Sequence, residues 1–158
     1  MAGISALTNL SGLTFTSIDY LSLQTGPLAE LTLVVEDASE LFSVGGDGSL
    51  YLDISTLHTG SSLTIFGCES VNLAGFTTCA NVDFEQNKFT TLSMPSFVSS
   101  IYTYLEIGNN SALPTMELPL VEHLDTLWIW GNPALVDVTG FSALTNVDDV
   151  KISGNFTA

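Results

Sequence analysis

The sequence predicts an all-β, right-handed parallel β-solenoid of about six to seven turns, with 21–22 residues per turn, on three observations. First, LEIGNN, LWIWGN and VKISGN, starting at Leu105, Leu127 and Val150, share one pattern: apolar, any, apolar, any, any, Asn. The pattern extends back to Val82/Phe84 with Asn87, to Leu63/Ile65 with Cys68 in the Asn slot, and more weakly to Phe42/Val44/Asp47 and Leu21/Leu23/Gly26. Second, the starts at 21, 42, 63, 82, 105, 127 and 150 are on average about 21.5 residues apart, a spacing typical of solenoids. Third, each unit alternates apolar and polar as a half-buried strand does, and no window holds a helical period for more than a turn.

Within a unit the leading strand sends Leu127 and Ile129 inward and Trp128 and Trp130 outward. A second apolar alternation follows the Asn in most copies: Leu50/Leu52/Ile54, Val71/Leu73, Leu92/Met94, Met116/Leu118 and Leu135/Val138. A third anchor comes a few residues later, at Leu57, Phe76, Phe97, Leu120 and Leu144. Pro95, Pro114, Pro119 and Pro133 fall between strands, where a missing N–H donor does no harm. The recurrent Asn suits a sharp turn, because its amide can bond backbone of its own and adjacent turns, so Asn87, Asn110, Asn132 and Asn155 are expected to form a structural ladder. The helical leucine-rich repeat shares the period and is the competing architecture. SALTN occurs at both Ser5–Asn9 and Ser142–Asn146, so the chain enters and leaves partway round a turn. Residues 1–158 are accordingly expected to be one solenoid domain, a fragment or shortened form of a longer ectodomain.

The composition bounds the partners. There are 17 Asp+Glu against 2 Lys+Arg, a net charge of −15, in a chain that is 46% hydrophobic and only 12% charged. That apolar content is enough for a core and excludes intrinsic disorder. Nucleic acid is excluded as a partner because Lys88 and Lys151 alone cannot neutralise a phosphate backbone, and anionic membrane surfaces are disfavoured for the same reason. No apolar run of about 18 residues appears, so no membrane-inserting helix is expected. Eighteen Ser and eighteen Thr must cover much of the surface. Cys68 and Cys79 match no metal motif and fit a disulfide or two buried thiols equally well.

The stretches SSLTIFGCESVNL, VDFEQNKFTTLSMPSF, LEIGNNSAL, LWIWGNPALVDVTGFSALTNV and VKISGNFT resemble consecutive repeats of the fungal GPI-anchored cell-wall organisation proteins, the extracellular-mutant and sporulation-specific type. The likeness is good from Ser62 to Thr157 and looser from Gly3 to Leu57. It implies an ectodomain similar to the receptor L domain, on an extracellular, glycosylated wall or surface protein that contributes to wall organisation. It carries over no catalytic residue. Location is expected from the resemblance alone, since the opening MAGISALTNLSG does not read as the basic region and apolar stretch of a leader and no stalk or anchor signal is read from these residues.

Four constellations invite a function. Asn9, Asn109 and Asn155 satisfy the N-x-S/T sequon, where composition alone gives roughly two. The outward positions form two columns: Ser22, Ser43, Thr64, Asp83, Glu106, Trp128, Lys151, and beside it Gln24, Gly45, Phe66, Glu85, Gly108, Trp130, Ser153. Two Trp on a solvent face, with Tyr102 and Tyr104 nearby, suggest a platform for a sugar face or a protein hot spot, against the plainer reading that they cover the sheet or meet a neighbouring domain. Asp83, Glu85 and Glu106 cluster on the same face; they read as solvated acidic surface, with paired-carboxylate glycoside hydrolysis as the sharper alternative. His58 and His123 lie about three turns apart without a nucleophile, so no catalytic triad is expected. The composite expectation is a non-catalytic wall or surface protein that presents a rigid β-face for glycan or protein recognition, with self-association through the solenoid ends as a further partner. No metal or other cofactor is expected. The alternative is a carbohydrate-active β-helix enzyme acting on wall polysaccharide.

Overall fold

The computed structural model describes residues 13–99 and 102–154. The described residues form ten strands and no helix, which removes the helical leucine-rich repeat. In chain order these are β1 (Thr14–Gln24), β2 (Glu30–Thr32), β3 (Val34–Asp53), β4 (Thr59–Asn72), β5 (Thr78–Glu85), β6 (Leu92–Ser93), β7 (Tyr104–Gly108), β8 (Met116–Glu117), β9 (His123–Trp130) and β10 (Asn146–Ile152). The main sheet runs β1-β3-β4-β5-β7-β9-β10 with every pair parallel, so the chain is a β-solenoid. A second ladder runs along another side of the coil. It pairs Leu31 with Leu52, Leu52 with Val71, and, as a separate two-stranded sheet, Leu92 with Met116.

The repeat sets the register directly. Leu21, Phe42, Leu63, Val82, Leu105, Leu127 and Val150 are paired strand to strand, as a period of about 21.5 residues requires. From Phe42 to Leu127 these residues are buried, and so are their i+2 partners Val44, Ile65, Phe84, Ile107 and Ile129. A one-residue slip would turn this apolar column out to water, which is why the pairing is strongly specified. Phe76 and Phe97, one turn apart, stack at 5.5 Å with parallel rings inside the coil. Such a pair contributes roughly 0.5–1.5 kcal/mol beyond its buried area.

Three details depart from the sequence expectation. Three apolar alternations per turn imply a coil of short strands, but in the first half β3 runs 20 residues and β4 runs 14, bending round a corner without breaking. The Asn slot in the β3 turn is filled by buried Leu50, paired with Cys68, and not by Asp47. Residues 46–49 bulge out there, with Gly48 at φ 95° and Asp47 exposed as it accepts from the Ser49 N–H at 3.2 Å and hydroxyl at 2.6 Å. The fourth anchor is Val121, fully buried, whereas Leu120 is 47% exposed. The turn that brings Val121 inward is closed by its N–H to the Leu118 carbonyl, as Phe97 closes on Met94 and Phe76 on Leu73.

Candidate functional site

The corner after each leading strand is built from the backbone outward. Gly67, Gln86, Asn109 and Gly131 all take φ between 55° and 66°, and each precedes the slot residue of its turn. This left-handed residue turns the chain sharply and places Cys68, Asn87, Asn110 and Asn132 one above another in the interior, the three Asn at 1%, 0% and 2% exposure. Each amide then serves two turns. Asn87 Oδ1 accepts the Cys68 N–H at 2.9 Å while its Nδ2 donates to the Ile65 carbonyl at 3.0 Å. Asn110 takes the Asn87 N–H at 3.0 Å and donates to Phe84 at 2.9 Å; Asn132 takes the Asn110 N–H at 2.8 Å and donates to Ile107 at 2.8 Å. The amides thus satisfy the N–H groups of Cys68, Asn87 and Asn110 and the carbonyls of Ile65, Phe84 and Ile107, which offsets the cost of burying polar side chains there. Asn155, the next expected rung, lies outside the described residues, as does the sequon residue Asn9.

The outward face of the same turns carries the aromatic and acidic residues. Their columns pair as the repeat predicts: Ser22, Ser43, Thr64, Asp83, Glu106, Trp128, Lys151 in one, and Gln24, Gly45, Phe66, Glu85, Gly108, Trp130 in the other. Trp128 and Trp130 face out but are half-buried. The Trp130 ring lies down over Gly108: a Cβ on that glycine would come within 2.7 Å of the indole. Its Nε1 donates to Glu106 Oε1 at 2.7 Å. Tyr104 donates a short hydrogen bond from its hydroxyl to the other oxygen, Glu106 Oε2. Trp128 meets the Tyr104 ring edge-on at 5.5 Å, and Lys151 Nζ sits 3.9 Å from the Trp128 ring centroid. Glu106 is therefore the hub that fixes two aromatic side chains. Tyr104, not Tyr102, carries these contacts; Tyr102 stands 73% exposed ahead of β7.

The carboxylates around this hub differ from one another. Among the described residues Glu85 receives only long contacts, from Gln86 Nε2 at 3.3 Å and Asn109 Nδ2 at 3.5 Å. Asp83 lies beside Glu106 in the ladder, and its Oδ1 is buried without a hydrogen-bond partner. Burial, with the charges of Glu106 and Glu85 adding to it, pushes the Asp83 carboxyl up to about 6. Burial, the hydrogen bond to Glu106 and the nearby negative charge likewise hold the Tyr104 phenol well above its usual range. Among the described residues Trp128 Nε1 is the other buried side-chain polar atom without a partner.

Asn109, the sequon residue within the described part, is half-buried at its left-handed corner, with Gly131 packed against its Oδ1. Cys68 and Cys79 are separate buried thiols, pushed up to about 12 and about 11 by desolvation. His123 Nδ1 lies 2.8 Å from Asn146 Nδ2, and His58 is exposed on the surface. Among the described residues no group of three or more His, Cys, Asp or Glu is placed to hold a metal ion. No protein-family model, curated protein or solved structure matches the chain.

Reading the columns for side-chain identity alone misses that the rings lie flat. The signal was present: a glycine precedes an aromatic one turn later at Gly45–Phe66 and again at Gly108–Trp130. In both places the ring occupies the space that the absent Cβ leaves, with Phe66 lying over Gly45.

Proposed function

We propose that the chain is a non-catalytic recognition protein of the cell surface or wall, binding a glycan on the outward face of β7, β9 and β10. The observation that supports it is the Glu106 hub, which holds Tyr104 and Trp130 in fixed orientation on a rigid parallel sheet. Flat indole faces suit the apolar faces of sugar rings, and an aromatic side chain already immobilised loses little entropy when a ligand arrives. A fungal, glycosylated, GPI-anchored setting and a part in wall organisation belong to the same reading. Their support is the repeat resemblance, the Ser/Thr-rich cover and the sequons. Glycan-array or polysaccharide pull-down binding should be abolished in a Trp128→Ala/Trp130→Ala double variant with unchanged far-UV circular dichroism. Undiminished binding by that variant sinks the assignment of the face.

One observation favours a second reading, a carbohydrate-active enzyme. Asp83 and Glu106 are neighbours in the ladder, one strand spacing of about 4.8 Å apart, and the Asp83 carboxyl is raised to about 6, as an acid beside a carboxylate would be. Against it, both oxygens of Glu106 already accept hydrogen bonds from aromatic side chains. Turnover of wall polysaccharide lost in Glu85→Gln or Glu106→Gln would favour the enzyme over the binding protein.

A further inference from the structure

The site has a feature that glycan stacking alone does not use, its concentration of negative charge around one seated cation. An open cleft of about 610 Å³ is lined by Glu106, Trp128, Trp130, Val150, Lys151 and Ile152. Glu106 lines it directly, Asp83 lies one ladder step behind, and Glu85 sits on the far side of Gly108 from Trp130. Lys151 is one of only two Lys or Arg in the chain, and its ammonium rests 3.9 Å from the Trp128 ring centroid while Asp149 Oδ2 lies 3.7 Å away. An ammonium over an indole with a carboxylate beside it is the arrangement by which proteins hold organic cations. Here a side chain of the protein itself occupies it, and that side chain is 60% exposed, so it is free to swing out.

We propose that this cleft binds a glycan bearing protonated primary amines, with Lys151 holding the place of one amine until the ligand displaces it. The inference rests on the glycan reading above and narrows it to a class. Charge decides the class: a chain of net charge −15 repels acidic polysaccharide and gives a neutral one no electrostatic gain, whereas an amino-glycan is drawn to it from a distance. The indole faces take the sugar rings. Glu106, with two lone-pair positions still open after binding Tyr104 and Trp130, takes an ammonium. Lys151 then acts as a tethered competitor, which lowers affinity and confines binding to ligands that offer a cation of their own.

The test is isothermal titration of the whole chain with three short oligosaccharides: glucosamine, N-acetylglucosamine and glucose oligomers of equal length. Glucosamine oligomers should bind at least tenfold tighter than the other two, and the advantage should shrink as salt rises. Lys151→Met should tighten glucosamine binding several-fold, and Glu106→Gln should weaken it, both with wild-type near-UV circular dichroism for the folded state. Equal affinity for the acetylated or glucose oligomers, or weaker glucosamine binding by Lys151→Met, overturns the amine assignment and leaves the glycan reading standing. Binding of none of the three overturns both.

Discussion

The first turns of the coil and the later ones close the same corner in different ways. Around β3 and β4 the corner is glycine on glycine: a Cβ on Gly46 would sit 2.5 Å from the Gly67 carbonyl oxygen, and one on Gly67 would sit 2.3 Å from the Gly46 oxygen. Backbone meets backbone there, and Leu50 fills the interior. From β5 to β9 the corner is amide on amide, with Asn87, Asn110 and Asn132 linking each turn to the one before. The aromatic and acidic face lies on the outside of those later turns, and the outward residues of the first ones are mostly Ser, Thr and Gly. Rigidity is thus placed behind the face that uses it: rings that must keep their orientation are backed by turns cross-linked through buried amides.

The largest way to break that contrast is Asn110→Ala. It strips a partner from the buried Asn87 N–H and from the Phe84 carbonyl together, each an orphan worth about 1–3 kcal/mol, so unfolding stability should fall by about 2–4 kcal/mol in urea titration. Asp47→Ala, in the corresponding turn of the first half, removes two hydrogen bonds within an exposed loop and should change the urea midpoint little. Equal losses at both positions would mean that the ladder is no stiffer than the loop.

A smaller effect comes from the outer face of the ladder turns. Folding raises the Asp83 carboxyl from 3.8 to about 6, so between those values the folded chain keeps a proton that the unfolded chain has released. The contribution is fully present below about pH 4 and is lost as pH rises through 6. A shift of this size on a fully buried group would be worth about 3 kcal/mol; with roughly half of that left after solvent screening, about 1.5 kcal/mol is expected. Asp83→Asn should therefore match the wild type below pH 4 and exceed its stability by about 1.5 kcal/mol above pH 6. A difference independent of pH would remove Asp83 from the titrating groups of the site.

Much of this was legible in the chain because two periods act together. The spacing of about 21.5 residues stacks equivalent positions, and the period of two assigns them to one face or the other, so the outward column from Asp83 through Glu106 and Trp128 to Lys151 follows from sequence alone. What stayed hidden is geometry that no single position encodes. Leu50 takes the slot expected for Asp47 because the 46–49 bulge shifts the register, and a bulge adds residues without a periodic mark. Val121 replaces Leu120 as anchor because the turn hydrogen bond to Leu118 decides which of two adjacent apolar residues faces in. The hub at Glu106 depends on rotamers, and only the glycine ahead of Trp130 in its column announces that the ring lies down.

The smallest expected effect tests the corner itself. The four left-handed positions are held by Gly67, Gln86, Asn109 and Gly131, and of these Gln86 has no intrinsic tolerance for φ 56°. Asn visits this region through local hydrogen bonds and Gly at no steric cost, so Gln86 is where the ladder turns carry strain that the glycine corner at Gly67 avoids. Gln86→Gly should relieve about 1–2 kcal/mol of that strain while giving back part of it through a more flexible unfolded chain, for a net gain of about 0.5–1 kcal/mol. The side chain is exposed and its one hydrogen bond, to Glu85 at 3.3 Å, is long, so little else is lost. A rise in melting temperature for Gln86→Gly would show that the left-handed corner costs the ladder turn backbone strain that a glycine corner avoids. A fall for Gln86→Gly would mean that the Gln86 side chain contributes more to the ladder turns than its contacts indicate.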